Sequence, residues 1–255
     1  TAALEQYGTL KGMALPLLNF PFGLLSSLAV LLMPEITQAH IEGQTARLNA
    51  LLDRMLRLTG YFSALAGTLF WVWGRPLAQL LYHSSEAGFY LETLAPAMPL
   101  MYLESMVDGA MKGIGEQKAA FRYSVWDAVL RIGGVAVLLP RYGMRGFLAV
   151  ILLSSLYTCA ANTGRLLLSS GTEHAFRRWL GAPLLAAVAA GAAGRGLRRA
   201  LEFFSAQGLW GQLAVLTVGG TVTAIVFLLT ALPLGLWEEV RAVLRQAKTG
   251  NNRGK

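Results

Sequence analysis

Four charged residues lie within apolar stretches of the chain, at spacings that group them into two pairs. Glu104 and Asp108 are four residues apart, and so are Asp127 and Arg131. Side chains four residues apart share one face of a helix. An ionised side chain at the centre of a bilayer costs roughly 2.5–3.5 kcal/mol, so charges kept at that depth are candidates for function. We predict that these residues, together with Asn19, line a substrate or ion pathway.

Arg131 has two possible roles. If the two pairs lie on antiparallel neighbouring helices, Arg131 meets up to three carboxylates. One interpretation is an ion-pair network that holds the helices together. The other is that Arg131 lines a water-filled cavity and binds an anionic head group such as a phosphate, which a guanidinium contacts in bidentate fashion. The sequence leaves both roles open.

Two prolines, Pro16 and Pro21, flank Asn19 within a single apolar run. Proline removes a backbone donor and kinks a helix, and membrane bundles tolerate such kinks. We predict a bent helix here. The Asn19 side chain either bonds a carbonyl that the kink frees or faces a substrate path.

Other kinds of chemistry have no support in the pattern. The three histidines have no metal-ligand spacing, and Cys159 is the single cysteine. The glycine-rich stretches 109–115 and 191–196 follow no strand and carry no phosphate-loop signature, and no serine has a neighbouring histidine. We expect no metal, no cofactor and no enzymatic activity.

Composition places these residues in a membrane. The chain is 55% hydrophobic and only 14% charged, with a mean hydropathy of +0.49, whereas soluble domains carry roughly 25% charged residues. Seven apolar runs are long enough to span a bilayer core. The sequence predicts an all-α, polytopic bundle of about seven transmembrane helices, at 9–33, 55–74, 89–111, 121–139, 146–169, 180–195 and 209–233.

Helix breakers follow several of these runs. Pro34, Pro76, Pro140 and Gly171 are each expected to lie just beyond the end of a helix. The polar segment 35–54 then connects the first two spans outside the membrane. The transmembrane lobe would occupy residues 1–233, followed by a basic tail at 234–255.

Positive charges and tryptophans indicate how the bundle is oriented. About twice as many lysines and arginines lie on the side of the tail as on the opposite side. Positive loops stay in the cytoplasm, so we predict a multi-pass cell-membrane protein with a cytoplasmic C-terminus. The net charge of +8 is then a topology signal that requires no nucleic acid. Five tryptophans near predicted helix ends are expected to be interfacial anchors: Trp71, Trp73, Trp179, Trp210 and Trp237.

Three stretches resemble a known family of transporters. The sequence PEITQA at 34–39 resembles the helix-end signature P-x-I-S/T-x-A of the multidrug/oligosaccharidyl-lipid/polysaccharide exporter superfamily. The stretches DGAMKGIGEQ at 108–117 and LPRYGMRGF at 139–147 resemble its stage V sporulation protein B-like branch. The likeness covers roughly residues 5–170 and reaches the last two spans only by position and hydropathy.

The resemblance implies one lobe of a two-lobed MATE-like flippase fold, with these helices as the eighth to the fourteenth of fourteen. It implies a flippase that moves an undecaprenyl-linked oligosaccharide, polysaccharide or peptidoglycan precursor across the membrane by alternating access. The partners would be membrane lipid, that substrate and a missing N-terminal lobe of the same protein. The chain does not begin with Met, and we expect it to begin mid-protein.

Two alternatives stay open at this point. A cation-coupled multidrug exporter of the same superfamily would have fewer basic cavity residues and better-defined cation ligands. A non-transporting scaffold of a cell-envelope synthesis complex needs no polar groups at membrane depth, so the two charged pairs count against it. The glycan, the coupling ion and any role in sporulation are not specified by the sequence.

Overall fold

The computed structural model describes residues 2–171, 177–205 and 209–236. Throughout these ranges the chain forms helices joined by short turns, and no strand is present within them, which confirms the all-α prediction. The α-helices are α1 Ala2–Thr9, α2 Leu15–Asn19, α3 Phe22–Ile41, α4 Thr45–Tyr82, α5 Ser85–Leu94, α6 Met98–Gly113, α7 Gln117–Ser170, α8 Ala182–Ser205 and α9 Leu209–Ala231.

The first predicted span is interrupted, as its prolines indicate. A π-helical turn at Leu10–Ala14 separates α1 from α2, and the chain turns at Phe20 and Pro21 before α3 begins. Pro34 does not end the helix, because α3 continues through it to Ile41. This expectation was wrong: a proline inside a bundle is accommodated when neighbouring groups satisfy the freed backbone.

The second span is much longer than predicted. The expected connector at 35–54 reduces to a short turn at residues 42–44, and α4 runs on through Pro76 to Tyr82. Buried Leu48 and Leu52 pack one face of the extension against the core, and tertiary packing of this kind stabilises a helix beyond its local propensity. The helix ends at His83, in a left-handed conformation with φ 52°.

The third span begins and ends slightly outside its predicted limits of 89 and 111. It consists of α5 and α6, joined by the 3-10 turn Ala95–Ala97. Ser84 caps α5 by accepting a hydrogen bond from the amide of Ala87 at 3.1 Å. The turn contains Pro96, which lacks a backbone donor and so interrupts the α-helical hydrogen bonding at about the middle of the span.

The fourth and fifth spans form a hairpin. Helix α7 contains one non-helical residue, Gly143, with φ 58° and ψ −141°, and the two arms pack antiparallel on either side of it. A side chain at Gly146 would overlap the carbonyl oxygen of Leu138, so the turn requires glycine at that close approach. Pro140 lies inside the first arm and does not end it. Gly171, with φ 66°, ends the second arm as predicted.

Two of the five tryptophans predicted as interfacial anchors lie inside the bundle. Trp73 and Trp179 are 3% and 2% exposed. Their ring nitrogens donate to Thr223 Oγ1 at 3.1 Å and to Asp53 Oδ1 at 2.7 Å, which satisfies the buried N–H groups. Trp210 is 82% exposed, as an anchor would be. Trp237 lies outside the described residues.

Helix α4 lies at the centre of the bundle and contacts α3, α5, α6, α8 and α9. The bundle's outer surface carries large exposed apolar side chains, among them Leu24, Leu156 and Leu229. Four stretches of described helix are long and apolar enough to cross a membrane, namely Phe22–Ile41, Gln117–Ser170, Arg178–Leu201 and Leu209–Gly235. The described residues form a helical membrane bundle.

Candidate functional site

A polar cavity of about 310 Å³ opens between the broken first span, α6 and the hairpin α7. It is walled by residues from all of these elements. Its polar lining comprises Lys11, Asn19, Glu104, Ser105, Arg131 and Ser155, with Tyr102 at the kink. Three predicted pathway residues, Asn19, Glu104 and Arg131, therefore share one cavity, although they lie on three different elements of the chain.

Arg131 is held by a compact polar cluster. Its Nε atom lies 2.7 Å from Asp127 Oδ2 on the same arm and donates to Ser154 Oγ on the opposite arm at 2.6 Å. The Ser154 hydroxyl in turn donates to Asp127 Oδ1. Asp127 and Ser154 are 8% and 0% exposed, so the hairpin buries the acid and the hydroxyl while presenting the guanidinium.

The terminal nitrogens of Arg131 are the part that a ligand can reach. Both of its side-chain contacts use Nε, and its side chain is 51% exposed. Among the described residues, no side chain bonds its two Nη groups. A guanidinium fixed at Nε and open at both Nη atoms presents two parallel donors, which matches the oxygen spacing of a phosphate or carboxylate.

Of the up to three carboxylates that Arg131 was expected to meet, it pairs directly with one. Asp127 contacts it directly, and Glu104 shares its cavity. Asp108 instead pairs with Lys112, one turn along α6, with Nζ and Oδ2 2.6 Å apart. Asp108 has a positive partner at the ideal helical spacing, so it is part of a local ion pair and not of the cavity lining.

The kink places Asn19 at the cavity. Tyr102 of α6 donates its hydroxyl hydrogen to the carbonyl of Leu18. The backbone beside the kink is therefore satisfied by Tyr102, and Asn19 lines the cavity instead. Of the two interpretations of Asn19, the geometry favours the one in which its side chain faces an open space.

Sequence reasoning missed Lys11 and the two serines. Lys11 is not among the predicted pathway residues, yet it lines the cavity with Leu15 and Asn19, and these three residues recur every four positions. Ser154 and Ser155 were dismissed because no histidine is nearby. Ser154 contacts Arg131 and Asp127 only because the two arms of α7 pair, and the sequence alone does not reveal that pairing.

A second polar cluster ties the turn between α6 and α7 to the end of the hairpin. Arg165 donates from Nη2 to Glu116 Oε1 at 2.9 Å, and Ser169 donates to the same oxygen at 2.8 Å. The Ser169 hydrogen bond, assisted by Arg165, holds the pKa of the Glu116 carboxyl below its ordinary value. This contact resists separation of the third and fifth spans at that end.

The depressed pKa of Glu116 predicts a specific acid sensitivity. A carboxyl with a lowered folded-state pKa stabilises fully above the unfolded-state value of about 4.5, and the contribution disappears as the pH falls through the folded-state pKa. Glu116→Gln should lower the unfolding temperature at pH 7. The gap in unfolding temperature between this variant and wild type should narrow below about pH 4.5. Thermal unfolding of both proteins from pH 7 to 3 measures this gap. The unfolding temperature of Ser169→Ala is expected to lie between those of wild type and Glu116→Gln. A pH-independent difference would contradict it.

Sequence comparison places this arrangement in a family. The MatE family model matches residues 11–137, about half of the chain, and this segment contains Lys11, Asn19, Glu104 and Arg131. This segment of the chain belongs to the MatE family. The family match and the apolar helices together identify this MatE-family chain as an integral membrane protein of the MATE and polysaccharide exporter superfamily.

Two curated relatives extend the comparison. "Sporulation protein YkvU" of Bacillus subtilis (strain 168) is 29% identical over 170 residues, which is 67% of this chain and 36% of that protein. "Stage V sporulation protein B" of the same organism is 26% identical over 140 residues, or 55% of this chain and 27% of that protein. The MatE-family chain thus spans about a third of the length of these relatives.

The side chains that line the cavity are suited to binding a charged ligand. It combines two cationic side chains, one carboxylate, an amide and hydroxyl groups. Within the part of the chain that the structure describes, no group of three or more histidine, cysteine, aspartate or glutamate residues could hold a metal ion. A cavity of this composition recognises an ionic group by hydrogen bonds and charge.

Proposed function

We propose that this chain is one lobe of a flippase that translocates a lipid-linked oligosaccharide, polysaccharide or peptidoglycan precursor across the cytoplasmic membrane by alternating access. The proposal combines membership of the MatE family with a polar cavity in a bundle whose outer surface is apolar. A lipid-linked saccharide has both parts, a polar anionic head and an apolar tail.

One observation carries the proposal: Arg131 presents two Nη groups, which no described side chain bonds, to a cavity that Lys11 also lines. A polyprenyl-linked sugar joins lipid to saccharide through phosphate, an anion that a guanidinium and an ammonium group bind together. The Asp127–Ser154 pair fixes the guanidinium before substrate arrives, so little ordering cost remains at binding.

The kinked first span supplies the movable wall in this mechanism. Its break at Phe20 and Pro21 divides the helix beside Asn19, and broken helices line the substrate paths of many transporters. We propose that an N-terminal lobe completes the path opposite this wall. The C-terminus would lie in the cytoplasm, in keeping with the excess of positive charge on that side.

Glu104 favours a second candidate, a cation-coupled exporter of the same superfamily. Its side chain lines the cavity beside Arg131, where a carboxylate can exchange a proton or a monovalent cation during transport. Substrate would then be a drug-like cation, which the positive charges of Lys11 and Arg131 oppose. We therefore place the lipid-linked saccharide first.

The test is a translocation assay with the whole protein in proteoliposomes. A fluorescent undecaprenyl-pyrophosphate-linked saccharide is added to one leaflet, and its appearance in the other is followed with a membrane-impermeant quencher. The proposal predicts translocation well above that of empty vesicles. No translocation of the saccharide, together with export of a cationic dye that responds to a proton or sodium gradient, would select the second candidate.

A further inference from the structure

A second basic cavity, of about 380 Å³, lies where α4, α5, α8 and α9 meet. It is separate from the cavity of Arg131 and shares none of its lining residues. Its polar lining consists of Arg75, Gln79, Ser85, Arg198 and Gln212. None of these residues is acidic, and all can donate hydrogen bonds.

A single carboxylate anchors both arginines of this cavity. Arg75 Nε lies 2.8 Å from Glu92 Oε2, and Arg198 Nη1 lies 2.9 Å from Glu92 Oε1. Arg198 also donates to the backbone carbonyl of Val72 at 2.7 Å. Two guanidinium groups are thereby held side by side against one negative charge, and the trio retains a net positive charge.

A second acid of α5 points to a different partner. Glu86, in the first turn of α5, accepts a hydrogen bond from Tyr90 at 2.7 Å. Glu86 is not among the residues that line the cavity. Among the side chains that the structure describes, Glu92 is the one carboxylate that pairs with Arg75 or Arg198, so within that set two positive charges share one negative charge, and an ion is costly to leave unpaired at a membrane.

The cavity is also placed at the right depth for a lipid head group. It lies at the junction where α4 ends and α5 begins, so its mouth is at an end of the helix bundle rather than at its middle. The side chain of Arg75 is 55% exposed, whereas those of Glu92 and Arg198 are 15% and 25% exposed. Arg75 is thus the member of the trio that an incoming ligand meets.

We propose that this cavity binds the phosphate of an anionic phospholipid head group from the surrounding bilayer. Arg75 and Arg198 supply the charge, and Gln79, Ser85 and Gln212 supply neutral donors around it. Such a lipid adds a second negative charge to the two arginines and Glu92, and it bridges α4 and α5 to α8 and α9. The site is independent of the transport function proposed above.

Lipid binding to the purified full-length protein tests this proposal. Native mass spectrometry with dioctanoyl phosphatidylglycerol is compared with dioctanoyl phosphatidylcholine and with glycerol 3-phosphate. We expect phosphatidylglycerol to bind most tightly, and Arg75→Gln to weaken it about tenfold, as the loss of one charge-assisted contact implies. Arg199→Gln, which removes an exposed charge one position from Arg198, is the matched control and should change binding less than about twofold.

A second variant tests the same cavity in case Arg75→Gln fails to fold. Gln79→Glu places a negative charge at an exposed position of the cavity lining and should also weaken phosphatidylglycerol selectively. Equal binding of phosphatidylcholine, or equal losses in Arg75→Gln and Arg199→Gln, would overturn the proposal. Equally tight binding of glycerol 3-phosphate would overturn the lipid as the ligand and assign the cavity to a soluble phosphate.

Discussion

Replacing Arg131 with alanine is expected to reduce translocation of a lipid-linked saccharide by about a hundredfold. The change removes both Nη donors from the cavity, and a bidentate contact of a guanidinium with phosphate contributes about 3 kcal/mol, which corresponds to that factor. Arg131→Lys keeps the charge but loses the planar pair of donors, so its translocation rate should fall between those of wild type and Arg131→Ala. The measurement is the initial translocation rate in proteoliposomes at equal protein content.

The Arg131 variants need a control for stability, because Asp127 is left buried without its partner. Asp127→Asn combined with Arg131→Ala removes both charges and keeps the volume of the acid. If the double variant unfolds like wild type and still fails to transport, the loss belongs to the head-group contact. Near-normal transport by a stable Arg131→Ala protein would return Arg131 to a purely structural role.

Replacing Gly219 with alanine is expected to destabilise the bundle by about 2 kcal/mol or more. An added methyl group at this position would overlap the buried ring of Trp73. The ring cannot easily turn aside, because its nitrogen donates to Thr223 on the same helix as the glycine. Helix α9 must therefore move away from α4. Equilibrium unfolding in mixed micelles measures the change.

The adjacent glycine provides a matched control. A methyl group at Gly220 would meet no atom within 4 Å, and alanine is a better helix former than glycine by about 1 kcal/mol. Gly220→Ala should therefore be neutral or slightly stabilising. Similar losses for both substitutions would mean that the packing of α9 on α4 described here is wrong.

Features with a local cause could be predicted from the sequence. The four-residue spacing of Asp127 and Arg131 predicted their contact, because that spacing is itself the geometry of a helix face. The gap between the runs 121–139 and 146–169 predicted two spans, and the structure turns there at Gly143. Pro16 and Pro21 predicted the broken first helix.

Features set by distant partners could not be predicted. The Tyr102 bond satisfies the Leu18 carbonyl beside Asn19, and it joins residues 84 positions apart. Burial of Trp73 depends on Thr223, 150 positions away. Pro34 and Pro76 failed as helix ends because packing in the bundle overrode a local preference. Each of these outcomes depends on which helices are neighbours, and one sequence does not specify that.

Solvent access to Asn19 tests whether the cavity of Arg131 is open to water and takes up a lipid-linked saccharide. Asn19→Cys in a Cys159→Ala background gives a whole protein whose cysteine reports on the cavity, and Val30→Cys, at an exposed apolar position, is the lipid-facing control. We predict that a membrane-impermeant thiol reagent labels position 19 and not position 30, and that a lipid-linked saccharide slows the labelling. Equal labelling of both positions, or labelling of position 19 that the saccharide leaves unchanged, would contradict it.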